Sequence, residues 1–343
     1  MILIDGRIGE GGGQILRTAL SLSAATGKAF RLIHIRRKRS KPGLRHQHLA
    51  CVNAVAEICG AQCQGNRLES LEFEFTPGPI RGGEYFFNIP TAGSAMQVLQ
   101  TVLPILSRAA AASTVKVRGG THNPGAPPFE FFILSFLPLL KQLGVAAEVQ
   151  IRRHGFYPVG GGEIVAAIHP NLDPAPILSL QQRGEADTAN AEILISWLPR
   201  SIAERERKIL QQKLHWGEGK ITITEIEDSP GPGNVLMIRV KYGVQTFLFT
   251  AFGQRGKSAE QVAAEACDMF TGFRLSKAAL DEHLANQILP YLALANGGVY
   301  TAQSLSLHTK TNIEVIKRFL DVRIEVKKKD DGGFEIEVSP FAG

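Results

Sequence analysis

The chain has 343 residues, 38 Lys and Arg against 32 Asp and Glu, a formal net charge of +6, and 44% hydrophobic and 20% charged residues. That composition is globular, and the length allows one large core or two domains. No run of about eighteen apolar residues exists, which argues against a membrane span, and the positive excess suits a phosphate-rich or nucleic-acid partner without demanding one. The sequence opens directly in a strand pattern, with no basic n-region or cleavage site, so a cytoplasmic protein is expected. Cys51, Cys59, Cys63 and Cys267 form no C-x-x-C pair. They are read as reduced, buried small residues rather than metal ligands or a disulfide.

Met1 to Ile4 predicts a strand, and Asp5-Gly6 turns out of it. Gly9-Glu10-Gly11-Gly12-Gly13-Gln14-Ile15-Leu16-Arg17 follows. The spacing of Ile15, Leu16, Ala19, Leu20 and Leu22 predicts a helix. A glycine-rich loop feeding a helix N-terminus is an anion cradle, because its N–H groups are unobstructed and the helix dipole favours negative charge by roughly 0.3–1 kcal/mol at an exposed site. Glu10 is the odd feature there, since a carboxylate beside a phosphate is repulsive unless a divalent cation lies between them. The plainer alternative is a tight turn whose glycines serve only positive φ. The stretch is no dinucleotide fingerprint, because Gln14 stands where the third glycine should be. Nor is it a ligase-type nucleophile motif, since no lysine precedes Asp5-Gly6.

Ala29 to Ile35 predicts a strand that ends in a basic burst of Arg36, Arg37, Lys38, Arg39, Lys41 and Arg45, broken by Pro42-Gly43. Such a burst is ordinarily a solvated face. Here it lies at the C-terminal end of a strand, the usual side for ligand loops in α/β sheets, and guanidinium forks suit bidentate phosphate contact. A helix carrying His48, Leu49, Val52, Val55 and Ile58 follows and is capped by Gly60. His46 and His48 are two apart, so a helix does not aim them together and a metal pair is rejected.

Short strands near Ala61–Gly65 and Leu71–Phe75 complete the order βαβαββ. The order recurs as a strand at Gly83–Ile89, a helix at Gly93–Ala112, a strand at Ser113–Val117, a helix at Pro127–Leu143, and strands at Val145–Ile151 and Gly162–Ile168. Each first helix carries glutamine near its polar face, Gln14 in one and Gln97 with Gln100 in the other. Self-similarity of this kind predicts an internal repeat. Two loops of the second unit, Arg118–Pro128 and Arg153–Gly162, are longer than a turn requires, and three consecutive glycines in the latter invite close backbone approach.

From about Arg183 the texture changes. Ala191–Trp197, Ile202–Leu214, Lys220–Glu227 and Val235–Val240 read as β-α-β-β, then Gly243–Thr250 as a strand and Ser258–Thr271 as a helix. Helices at Ala278–Leu294 and Thr311–Leu320 follow, with a strand after Gly297 and strands at Arg323–Lys327 and Gly333–Val338. With Pro176–Leu180 as its first strand, this is a third copy of the repeat split by an insert. The expected fold is therefore α/β (α+β): a large domain of three βαβαββ repeats, 1–182 plus 273–343, and a small inserted α/β domain, 183–272.

His308 lies three positions before Thr311, the expected N-cap of the last helix, with Glu314 as its capping-box partner. That would present His308 on a loop at a helix start. A neutral imidazole is a competent nucleophile at neutral pH, although a lone histidine is more often an ordinary surface or core residue. Ala251-Phe252-Gly253-Gln254-Arg255-Gly256-Lys257-Ser258 fits a relaxed Walker A pattern, with alanine for the first glycine. The alternative is a strand-to-helix turn with Ser258 as N-cap, and no partner aspartate is evident at the end of a hydrophobic strand.

Taken together, Gly9–Arg17, Lys41–Gly43 with Gln47-His48, Thr91–Pro104, Gly119–Pro128, Arg153–Gly162 and Leu307–Asn312 resemble the RNA 3′-terminal phosphate cyclases over essentially the whole chain. The resemblance implies the same three-repeat fold with an insert in the third. It implies ATP and a divalent metal, Mg or Mn, as cofactors, RNA 3′-phosphate ends as substrate, a 2′,3′-cyclic phosphodiester as product, and a homodimer. By position, His308 matches the histidine that becomes adenylylated and Glu10 the metal-associated carboxylate. Arg17, Arg36 and Arg39 match phosphate-contacting arginines, and Gln47 and Gln100 match polar residues of the nucleotide site. Pro127, and with it Phe252, matches a position packing near the adenine.

One departure stands out. Where the family pattern has Tyr-Leu-Ala-Asp, this chain has His283-Leu284-Ala285-Asn286, and both His283 and Asn286 fall at nucleotide-site positions. If the family's aspartate orients the nucleophile or binds nucleotide, Asn286 keeps a hydrogen bond but no charge. Three rival readings compete. A catalytically silent cyclase-like scaffold of ribosome assembly would be expected to lose His308 and Glu10. An enolpyruvyl-transferase-like enzyme needs no histidine nucleophile and has a longer chain. A P-loop ATPase rests on the 251–258 loop alone.

Overall fold

Among the described residues, strand and helix signals resolve into four four-stranded sheets. The computed structural model describes residues 1–171, 173 and 175–340. The first unit is β1 (Ile2–Asp5), α1 (Gly13–Thr26), β2 (Phe30–Ile33), α2 (His46–Cys59), β3 (Gln62–Gln64) and β4 (Phe73–Thr76). Its sheet runs β1-β2-β4-β3, with β1 and β2 parallel and the other pairs antiparallel. The second is β5 (Glu84–Asn88), α3 (Ala95–Leu106), β6 (Ser113–Gly119), α4 (129–141, with a π-helical turn at Phe132–Phe136), β7 (Ala146–Arg153) and β8 (Gly162–His169). Its order, β5-β6-β8-β7, and its pairing pattern are the same.

The next strand, β9 (Leu178–Leu180), is separated from its neighbour by β10 (Thr188–Ser196), α5 (Ser201–Leu214), β11 (Ile221–Glu225), β12 (Gly233–Tyr242), β13 (Gln245–Phe252) and α6 (Ala259–Leu275). These four strands make their own sheet, β11-β10-β12-β13. The chain then returns through α7 (Glu282–Leu294), β14 (Gly298–Ala302), α8 (Leu307–Phe319), β15 (Val322–Lys328) and β16 (Phe334–Pro340). The sheet β9-β14-β16-β15 repeats the first two in order and pairing. Each strand–helix–parallel-strand crossover starts its helix at the carboxyl end of a strand. Three copies therefore bring helix starts together.

The half-buried strands show period-two burial. In β8, Ile164, Ala166 and Ile168 face the core while Glu163, Val165 and Ala167 are only partly covered. α1 is covered on nearly every side and packs against α2, α3 and α8, which puts it at the centre of the helical layer. Among the described residues no helix is long and apolar enough to cross a membrane.

Three elements depart from their expected limits or caps. α3 stops at Leu106, not Ala112: the Ser107 hydroxyl donates to the Pro104 carbonyl (3.3 Å), competing with continued helix, and Arg108 N–H reaches back only to Ile105. α7 begins at Glu282, not Ala278, because Asp281 caps it by accepting from the His283 and Leu284 N–H groups (2.7 and 3.2 Å), while Ala279 and Leu280 bond to Thr301 of β14. α8 begins at Leu307, capped by Ser306, whose Oγ accepts from Thr309 N–H (3.1 Å). Thr311 is thus inside the helix rather than at its cap.

The fourth sheet is held to the rest at three places. Arg183, on the chain entering it, donates to the carbonyls of Ser276 and Ala278 on the chain leaving it, and its guanidinium lies over Phe273, 4.1 Å from the ring centroid. Gln245 of β13 donates to the Ser135 carbonyl of α4 (2.9 Å). The 153–162 loop packs on the 228–233 turn, where His154 Nδ1 lies 2.8 Å from Asp228 Oδ1 and the Phe156 ring occupies the space a side chain at Gly233 would take. Gly233→Ala is therefore expected to lower stability by about 1–3 kcal/mol, read as a lower urea midpoint. An unchanged midpoint would mean that the Phe156 ring yields freely.

Candidate functional site

The N-terminal turns of α1, α3, α7 and α8, the loop entering α4 and the loop entering α6 surround one cleft of about 380 Å³. Seven of the expected site residues line it: Arg17, Gln100, Pro127, Phe252, His283, Asn286 and His308. Glu10, Arg36, Arg39 and Gln47 do not line it, but Glu10 lies against His308, Arg39 is paired with Glu10 and Gln47 is bonded to Gln97 of its lining.

Glu10 and His308 are 298 positions apart and face each other, Glu10 Oε1 lying 3.9 Å from His308 Nδ1. Thr311 fixes this approach. Its hydroxyl donates to the Leu307 carbonyl (2.6 Å) and accepts from Glu10 N–H (3.2 Å), clamping the glycine loop onto the first turn of α8. Gly9 has φ +57° and lies so close to Thr311 that any Cβ would collide with its side chain. The Glu10 side chain is only 9% exposed and is ion-paired with Arg39, which also donates to the Glu10 carbonyl (3.2 Å). Burial pushes the His308 imidazole below its usual value; Arg17, His283 and Arg39 push the same way and the Glu10 carboxylate opposes them. The ring is therefore neutral at neutral pH. His308 is half-exposed and belongs to a helical turn, not to the loop before it.

Behind His308 runs a network of amides. Arg17 donates to Gln14 Oε1 (2.9 Å), Gln14 and Thr18 donate to Asn312 Oδ1 (3.2 and 2.6 Å), and Asn312 donates to Asn286 Oδ1 (2.7 Å). Asn286 thus connects to Arg17 through two amides, with its hydrogen bond going to Asn312. Gln100 donates to Gln287 Oε1 (2.6 Å), and Gln47 is bonded to Gln97 while accepting from Ser94 N–H (3.1 Å). His48 is buried beside Gly13 and Arg17, and Arg45 N–H donates to its Nδ1 (3.1 Å). Burial, reinforced by Arg17, Arg36 and Arg45, pushes its imidazole down to about 3.

Arg36 turns towards its own loop, donating to the Lys41 carbonyl (2.7 Å); burial lowers its pKa, helped by Arg39 and Arg45 and opposed by Glu10. The Walker-like loop does not leave a free helix start. Ser258 Oγ accepts from Gln261 N–H (3.2 Å) and Gln261 Oε1 accepts from Ser258 N–H (2.8 Å), closing the end of α6 with a capping box.

Thr311, Asn312, Gln287 and His48 also belong to the site, although the sequence reading gave none of them a role there: Thr311 was expected as a helix cap and His48 as half of a rejected metal pair. The Leu307–Asn312 segment had marked two of them without saying what they touch. Among the described residues no group of three His, Cys, Asp or Glu side chains is placed to hold a metal. Glu10 supplies one carboxylate beside His308, which fits a hard cation of the Mg²⁺ type only where substrate oxygens complete its shell.

The sequence profile of the family described as RNA 3′-terminal phosphate cyclase matches residues 8–326. The chain is 45% identical over 338 residues to "RNA 3′-terminal phosphate cyclase" of Ectopseudomonas mendocina, covering 98% of each chain. It is 45% identical to the protein of the same description from Salmonella typhimurium (97% of each chain) and 46% identical to that from Koribacter versatilis (96% of this chain, 93% of the other). Its likeness to the enolpyruvyl transferase NikO from Streptomyces tendae has a TM-score of 0.40 at 10% identity, over 97% of this chain and 47% of that one, and carries no argument.

The buried His48 makes the fold acid-sensitive. The folded state holds the ring neutral to about pH 3, whereas the unfolded chain takes up a proton near the ordinary value of 6.5. This contribution is complete above about pH 6.5 and is lost as pH falls towards 3, by roughly 2 kcal/mol at about pH 5. The stability difference between the parent and His48→Gln should shrink by that amount between about pH 7.5 and pH 5. A pH-independent difference would contradict it.

Proposed function

The chain belongs to the RNA 3′-terminal phosphate cyclase family, and on that premise we propose that it uses ATP to convert an RNA 3′-phosphate into a 2′,3′-cyclic phosphodiester through a histidine–AMP intermediate on His308. The observation that supports this most is the convergence of a neutral imidazole, a nearly buried carboxylate 3.9 Å away and a cleft that Arg17 lines. We further take 1–182 plus 273–343 as the catalytic body and 183–272 as the unit that covers the cleft's far wall.

In this reading Glu10 favours the tautomer with the proton on Nδ1, leaving the Nε2 lone pair to attack the α-phosphorus of ATP. An N–P bond forms and the bond to pyrophosphate breaks. An oxygen of the RNA 3′-phosphate then displaces His308, making an RNA–AMP anhydride. The 2′-hydroxyl attacks the 3′-phosphorus, AMP leaves, and the hydroxyl proton passes to solvent. A 3′-phosphate is a poor electrophile because its oxygens are anionic; adenylylation supplies the leaving group, and the adjacent 2′-hydroxyl replaces a bimolecular encounter. A divalent cation bound by Glu10 and phosphate oxygens would neutralise charge on the transferring group. Arg17, Arg36 and Arg39 would do the same from the protein side. Gln47, Gln100, His283 and Asn286 would position the nucleotide, and Pro127 with Phe252 would pack near its base.

Incubation with α-labelled ATP and Mg²⁺ or Mn²⁺ should label the parent with an acid-labile adduct and leave His308→Ala unlabelled. Equal labelling of both would place the nucleophile elsewhere; labelling of neither, with nucleotide binding intact, would favour a silent scaffold. RNA affinity should weaken with salt, with a log–log slope of roughly −0.7 per single-strand phosphate contacted, and Arg37→Ala with Lys41→Ala should flatten that slope. A slope unchanged by the substitutions would exclude the 36–45 loop from RNA contact.

A further inference from the structure

The 251–258 loop carries a lysine and an adjoining helix that the reaction above leaves without a task. Lys257 and Glu265 form an ion pair on the fourth sheet's side of the cleft, and Lys257 Nζ also approaches the Phe252 carbonyl (3.4 Å). Their side chains are 22% and 50% exposed, so both remain reachable by a ligand in the cleft. Thr250, on the same wall, holds a buried hydroxyl with no hydrogen-bond partner.

The two ends of the cleft differ in charge. Around His308 lie Arg17 and, behind Glu10, Arg39. The reacting phosphorus must sit there, and cations in excess of carboxylates suit its oxygens. At the Lys257 end the ammonium is matched by a carboxylate, and the helix start behind it is closed by its own capping box. A carboxylate repels phosphate, and a neutralised pair offers no net attraction to it. What the pair does offer is one donor beside one acceptor, next to the Phe252 and Pro127 rings. That suits a neutral planar heterocycle.

We propose that Lys257 and Glu265 read the base of the nucleotide and select adenine over guanine. The proposal rests on the cleft being the ATP site. Adenine presents an amino donor at position 6 beside a ring-nitrogen acceptor at N7. Glu265 accepts from the amino group and Lys257 donates to the ring nitrogen, each releasing part of its hold on the other. Guanine presents a carbonyl oxygen at position 6, which faces a carboxylate that can only accept. Rejection therefore comes from an unpaired acceptor as much as from a lost bond.

The test is equilibrium binding to the full chain of the α,β-methylene analogues of ATP, GTP and purine riboside triphosphate, which are not cleaved at the α-phosphorus. The parent should bind the adenine analogue tightest, by about tenfold or more over each of the others. Glu265→Gln should cut the adenine-to-guanine ratio by about tenfold, whereas Lys257→Met, which removes a donor to the N7 that all three bases carry, should weaken the three analogues together; both should retain the parent's thermal midpoint. A parent that binds all three alike would overturn the proposal, and needs no variant to show it. So would a Glu265→Gln variant that weakens every analogue by one factor, which is the mark of a merely structural carboxylate. Because binding is read rather than transfer, a missing histidine adduct would remove the catalytic reading and leave this result standing.

Discussion

The physical constraint on which everything else depends is that helices α1, α3, α7 and α8 start at one place. A right-handed crossover between parallel strands leaves its helix N-terminus at the strand's carboxyl end, and the repeated sheet order aims those ends inward. The positive ends of the helix dipoles therefore collect around the cleft; Ser94, Asp281 and Ser306 cap the starts of α3, α7 and α8, while α1 starts after Gly12 with no side-chain cap. Each contributes little alone, but together they favour negative charge in the cleft. The Glu10 carboxylate is tolerable in this positive field because Arg39 pairs with it and helix starts surround it.

The site is also a seam. Glu10 belongs to the first repeat, Gln100 to the second and His308 to the third, and the repeats are tied across the seam by Glu10 N–H to the Thr311 hydroxyl, Thr18 to Asn312 and Gln100 to Gln287. Networks of this kind are costly when half satisfied and rigid when complete. They explain why the helix faces meeting here carry amides and hydroxyls where ordinary core packing would place leucine. The fourth sheet adds the remaining wall, held by Arg183 and by the contact of the 153–162 loop with the 228–233 turn.

Much of this was legible in the sequence, because strand period, helix period and glycine or proline punctuation are local properties. The order βαβαββ could be read off twice directly and a third time around the insert, and the glycine loop with its misplaced carboxylate marked the cleft. The rest depended on contacts no local pattern carries. Thr311 looked like a cap because Glu314 stood three residues on, but Ser306 took that place and freed Thr311 to hold Glu10. Arg36 was read by its charge alone, and no local pattern shows that one guanidinium nitrogen also bonds the Lys41 carbonyl of its own loop. Asn286 was read against the nucleophile, whereas its hydrogen bond goes to Asn312. His48 was set aside as half of a failed metal pair, and only the fold shows that three arginines crowd its ring.

The measurement that bears most directly on the account is mass spectrometry of a short RNA bearing a 3′-phosphate, incubated with the protein, ATP and Mg²⁺ or Mn²⁺. The account predicts an RNA lighter by one water, resistant to phosphomonoesterase, with one AMP and one pyrophosphate formed per end. An RNA of unchanged mass, or ATP consumed with ADP as product, would contradict it.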